Sequence, residues 1–152
     1  NQNFIEYSEL GLNYLKKISK IIKKNTGSLL LIDYGYTDKL MKNTLQGVSK
    51  HKFANILDDI GNTDITHHLN FDFYKRFINK IGGLDSKLTS QKEFLLKMGI
   101  KQRAEIISQN QNFTKKAEIY YRLKRLIDEK EMGNLFKVMF IKNKKSKFKL
   151  GF

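Results

Sequence analysis

The chain has 152 residues, with 29 lysines and arginines against 15 aspartates and glutamates, a formal net charge of +14, and neither cysteine nor proline. That length suits one domain or a large piece of one, and the lack of cysteine excludes a disulfide framework and a thiolate metal site. No stretch approaches the about 18 consecutive apolar residues that a membrane-spanning helix needs, and the early Glu6 and Glu9 do not suit a transit peptide.

A basic excess raises a nucleic-acid reading, since clustered positive charge is the electrostatic footprint of phosphate binding. Here 25 of the basic residues are lysine and only four are arginine. Lysine, asparagine and isoleucine in abundance beside no proline fit an A/T-rich coding bias. The arginine fork that reads phosphates and base edges is scarce, so a nucleic-acid partner is not expected.

In chain order, Ser8 is a suitable N-cap for a helix over 8–25, where Leu10, Tyr14, Ile18 and Ile22, with Leu15 and Ile21 beside them, recur at helical spacing as one apolar face. Gly27 is expected to supply a left-handed stop. The run GSLLLIDYG at 27–35 is short, unbroken and bounded by glycines, which predicts a strand at 29–32 buried on both faces. Ligands in such sheets sit beyond the carboxyl ends of the strands, where Asp33, Tyr34 and Gly35 fall; Asp33 as a simple cap of the following loop is the equal alternative.

Residues 36–69 are polar and irregular, with short strands expected at 44–48 and 64–69, and so long an irregular stretch is more often functional than packed. A helix over 70–81 follows, burying Phe73, Tyr74, Phe77, Ile78 and Ile81 and stopping at Gly82 and Gly83. A strand at 85–89 leads to a capping box, Ser90 with Glu93, then helices at 91–109 and 113–128 and a last strand at 135–141 after a Met-Gly turn. The order is that of an α/β domain. It contains neither a G-x-G loop nor a Walker loop, and the lysine-rich 142–149 reads as a solvated end.

Five ordered segments, LLLIDYGY (29–36), NTLQGVSKHKF (43–53), GNTDITHHLNF (61–71), TSQKEFLLKMGI (89–100) and MGNLFKVMFI (132–141), carry a resemblance. They resemble the C-terminal half of the MidA-like S-adenosylmethionine-dependent methyltransferases, a family that includes an arginine methyltransferase of mitochondrial complex I assembly. The resemblance implies an α/β fold: the C-terminal part of a Rossmann-like class I methyltransferase sheet of seven strands, here the last three, with extra helices between the last two. Residues 1–141 are then the substrate-side half of the domain and 142–152 a basic tail. The family's cofactor-binding half, with its glycine loop, is expected before Asn1, and this segment alone is expected to be inactive.

The implied cofactor of the complete protein is S-adenosylmethionine, and the implied partners are the missing half of the domain and a protein whose arginine is methylated. The implied location is the mitochondrial matrix in a eukaryote or the cytoplasm in a bacterium. A truncated remnant without catalysis and a basic nucleic-acid-binding module are the competing readings. One departure is visible: family members often carry arginine-glycine-histidine where Ser49-Lys50-His51 stands, and Lys50 lacks glycine's easy access to positive φ.

An arginine acceptor is protonated at ordinary pH, so carboxylates or a histidine must orient the guanidinium and take the proton it loses. Within the resembling blocks the candidates are Asp33, His51, Asp64 and His67 on the acceptor side, and Tyr34, Gly35, Gln46 and Thr66 for binding the substrate. Asp64 and Thr66 read equally as a turn whose side chains bond nearby backbone. His67 and His68, adjacent on a strand, face opposite ways; His67 matches the family block. Histidines at 51, 67 and 68 do not have the spacing of a zinc site. Tyr34 and Tyr36 either touch substrate or cover the end of the sheet.

Overall fold

Regular structure starts where the Ser8 hydroxyl accepts a hydrogen bond from the Gly11 amide at 3.0 Å, and the computed structural model describes residues 2–50, 52–149 and 151–152. The helices are α1 (Glu9–Asn25), α2 (Phe71–Ile81), α3 (Gln91–Lys97), α4 (Ile100–Ser108), α5 (Phe113–Ile127) and α6 (Met132–Leu135). The strands are β1 (Ser28–Tyr36), β2 (Gln46–Ser49), β3 (Lys52–Ala54), β4 (Asp64–Thr66), β5 (Leu69–Asn70), β6 (Leu84–Ser90) and β7 (Phe136–Asn143). They form a main sheet in the order β5-β1-β7-β6 and a small sheet in the order β3-β2-β4. β7 runs antiparallel to both β1 and β6, pairing Leu31 with Met139 on one side and Leu88 with Met139 on the other.

One face of the main sheet carries the core. Leu29, Leu31, Met139 and Ile141 meet Leu15 and Ile22 of α1 and Phe71, Tyr74 and Ile78 of α2. On the other face Phe140 stacks on Phe152 and meets Phe148 edge-on, and Phe94 of α3 packs beside Phe152. Of the lysine-rich segment 142–149 expected to be a solvated end, Lys142 and Asn143 belong to β7 and are buried, whereas Lys144, Lys145, Lys147, Phe148 and Lys149 are exposed. The Asn143 amide side chain donates to the Lys23 carbonyl at 2.9 Å, fastening β7 to the end of α1.

The strand buried on both faces is β7, not β1. From Val138 to Asn143 every β7 residue is buried, whereas Ile32 of β1 is 45% exposed. β1 has a full-length partner on one side only; on the other it pairs with β5 just at Gly35 and Tyr36. Four further expectations shift. Thr26, at φ 54°, takes the left-handed stop assigned to Gly27. The buried face of α1 is Leu15, Ser19 and Ile22, while Leu10, Tyr14 and Ile21 are exposed. The segment expected as one strand at 64–69 divides into β4 and β5, which join different sheets. The helix expected over 91–109 breaks into α3 and α4 at Gly99, whose φ of 80° no helical residue adopts. Ser90 caps α3 as expected, accepting from the Glu93 amide at 3.2 Å. The Met-Gly turn is the single-turn helix α6.

Candidate functional site

The small sheet projects one row of side chains. Successive residues of a strand alternate between faces, and the register pairs Gln46 with Thr66 and Val48 with Asp64. These four therefore share a face, and the Gln46 amide donates to the Thr66 hydroxyl at 3.1 Å. Opposite them stand Tyr34, from near the carboxyl end of β1, and its cross-strand partner Phe136. With His68 and Leu135 these residues enclose a cleft of about 320 Å³. Asp64 and Thr66 lie on β4, which replaces the turn reading of that pair.

The cleft is aromatic on one wall and polar on the other. Tyr34 meets the His68 ring edge-on at 5.4 Å between centroids and the Phe136 ring at 5.7 Å, the geometry favoured by ring quadrupoles. Asp64 is exposed and has no ionic partner among the described residues. The arrangement offers a carboxylate, an imidazole, a phenol and an amide around one opening, which suits a cationic planar group laid against aromatic faces.

Of the sequence candidates, Tyr34, Gln46, Asp64 and Thr66 come together here. His67 does not. Its Nδ1 lies 3.7 Å from a Glu6 carboxylate oxygen, in a cluster where the Thr44 amide and hydroxyl also bond Glu6 and the His68 amide donates to the Thr44 hydroxyl. His67 thus ties the segment before α1 to the link between β4 and β5, and His68 is the imidazole in the cleft.

Asp33 falls on the other face of β1, with Leu29 and Leu31. Its carboxylate accepts from the Tyr34 amide at 2.8 Å and, after burial itself, is the second cause holding the Tyr74 hydroxyl above its ordinary pKa. Gly35 is buried, and a Cβ there would collide with the Leu69 carbonyl and come within 2.9 Å of the Phe71 ring, so it serves the close approach of β5 and α2. His51 lies outside the described residues. Two residues that sequence reading passed over have signals in the chain. Asp64, Thr66 and His68 are two apart in the chain, although β4 ends at Thr66 and neither His67 nor His68 lies on the strand expected for them, and Phe136 follows from the pairing of β1 with β7.

Comparisons with known proteins converge on one family. Residues 1–90 match the family model described as "Putative S-adenosyl-L-methionine-dependent methyltransferase". The chain is 27% identical over 124 residues to the frog (Xenopus laevis) protein arginine methyltransferase NDUFAF7, mitochondrial, covering 81% of this chain and 28% of that protein. The human protein of that name is also 27% identical, over 80% of this chain and 27% of its own length. The chain thus spans less than a third of the curated relatives it matches. A solved but uncharacterized protein from Burkholderia thailandensis superposes with a TM-score of 0.77 at 25% identity, over 95% of this chain and 40% of its own. A member of the same superfamily from that organism, bound to S-adenosyl-homocysteine, gives a TM-score of 0.73 at 26% identity, over 90% and 36%.

Proposed function

Because the chain belongs to the MidA-like family of S-adenosylmethionine-dependent methyltransferases, we propose that its cleft receives the arginine side chain of a protein substrate and forms the acceptor side of methyl transfer. The observation that carries this reading is the meeting of Asp64, a carboxylate with no ionic partner among the described residues, with the imidazole of His68 and the rings of Tyr34 and Phe136 in one opening. It lies toward the carboxyl end of β1, where open α/β sheets place their ligands.

The described residues do not fit as a cradle for the cofactor itself. The glycines of close approach, Gly35, Gly47 and Gly133, are filled by carbonyls of the fold, those of Leu69, Ala54 and Asp128. The N-termini of α1, α2 and α5 are closed by their own caps Ser8, Asn70 and Asn112. The cleft residues, in this reading, act on the acceptor.

In this reading Asp64 accepts two hydrogen bonds from the guanidinium fork and fixes its plane. Tyr34 and Phe136 lie against that plane and keep water from it. The acceptor nitrogen must shed a proton as it gains a carbon substituent, and the His68 imidazole is placed to receive it. Gln46 and Thr66, bonded to each other, hold the row in register. Asp33 stands outside this set, and the contribution of His51 is proposed from the resemblance alone. The target class implied by the resemblance is a respiratory complex I subunit, with action in the mitochondrial matrix or the bacterial cytoplasm.

The test is methyl incorporation into arginine peptides by the intact protein that carries this chain. Asp64→Asn and His68→Ala are expected to lower kcat at least about tenfold, with cofactor Kd unchanged. Lysine peptides methylated as readily, or cofactor affinity lost in step with turnover, would overturn the acceptor assignment.

A further inference from the structure

Away from the cleft, α4 and α5 lie side by side without closing their apolar faces. No residue of α5 is buried. Between the helices runs a groove of about 190 Å³, floored by Ala104, Ile107, Leu123 and Leu126 and flanked by Arg103 and Arg122. Helical spacing sets each guanidinium one turn from the floor, Arg103 four residues before Ile107 and Arg122 four before Leu126.

The electrostatics are one-sided. The chain has four arginines in all, so two on one groove are a local concentration. Both are exposed, and neither has an ionic partner among the described residues. Across residues 100–127 seven lysines and arginines face two glutamates.

We propose that this groove docks an acidic amphipathic segment of a partner protein, its apolar side chains on the floor and its carboxylates on Arg103 and Arg122. A guanidinium is weakly hydrated and binds carboxylate through two parallel bonds, so it tolerates the apolar setting that an ammonium resists. An amphipathic helix laid in an apolar groove is a recurrent mode of peptide recognition. The same groove of a second copy is a poor occupant, because seven lysines and arginines against two glutamates over 100–127 would face their like. Nucleic acid is also a poor one, since the aliphatic floor offers no ring on which a base can stack. The proposal does not rest on the methyl-transfer reading.

The experiment is fluorescence anisotropy of the intact protein that carries this chain with a labelled synthetic helical peptide bearing leucine on one face and glutamate at its borders. The expected result is saturable binding that Arg103→Glu with Arg122→Glu weakens at least about tenfold. Lys16→Glu with Lys20→Glu, the same change of charge on α1, is expected to alter it by less than about twofold. Arg103→Lys with Arg122→Lys keeps the charge, removes the fork, and is expected to fall between. All these positions are exposed, and circular dichroism verifies that each variant is folded. Equal loss in the α1 control, equal binding of a sequence-scrambled peptide, or tighter binding of single-stranded RNA or anionic vesicles at the groove would overturn the proposal.

Discussion

At Gly35 a hydrogen atom is all that the space between β1, β5 and the Phe71 ring admits. Gly35→Ala is expected to destabilise by about 1–3 kcal/mol through overpacking, read as a lower denaturant midpoint at unchanged slope. Lys50 shows the opposite mismatch. It holds φ at 49°, directly after Ser49, whose cross-strand partner is Lys52, a place where tight hairpins favour positive φ. Lys50→Gly is therefore expected to raise stability by up to about 1 kcal/mol, the relief of strain exceeding glycine's entropic cost. Tyr74 links the fold to alkaline pH, its hydroxyl held above the usual tyrosine range first by burial and then by Asp33. A raised folded-state pKa contributes stability that is whole below the ordinary value of 10.0 and is lost as pH climbs through the folded value. Tyr74→Phe is expected to flatten that alkaline loss in thermal melts taken between about pH 8 and 11. Tyr34, Gln46, Asp64 and Thr66, which line the cleft, were picked out at this scale because they fall in the resembling blocks, although Asp64 and Thr66 read equally as a turn. The structure puts His68 in the cleft and His67 beside Glu6, a placement that the match of His67 to a family block did not reveal.

Among the elements, those with local signals were legible and those defined by distant partners were not. Caps at Ser8 and Ser90 are written in the chain, and each side chain accepts the amide three residues on. Ser90→Ala is accordingly expected to cost about 1 kcal/mol, measurable by urea titration. The break between α3 and α4 has a one-residue cause, Gly99, yet an isolated glycine in a helical pattern does not reveal its φ in advance. Burial of β1 was overestimated for a different reason. An apolar run reports that a strand wants covering, whereas the extent of covering depends on neighbours that periodicity cannot see. The same holds for α1, whose stripe of Leu10, Tyr14 and Ile21 is apolar and exposed.

For the molecule as a whole, the half-open side of β1 is the main liability. Backbone groups along a strand edge invite pairing with another chain, and Ile32 stands exposed on that strand. The chain by itself is expected to self-associate at high micromolar concentration. Ile32→Lys should shift sedimentation profiles toward the monomer, and a monomer in both forms would refute the liability. The position of β7 has a further consequence. It lies between β1 and β6 in space but follows both in the chain, so during synthesis the two earlier strands wait with no partner between them. The nascent chain must keep Leu29 and Leu31 from other apolar surfaces until Phe136–Asn143 emerges and inserts. Pairings so distant in sequence form slowly, which makes the unfinished polypeptide on the ribosome, more than the finished one, the natural client of a chaperone.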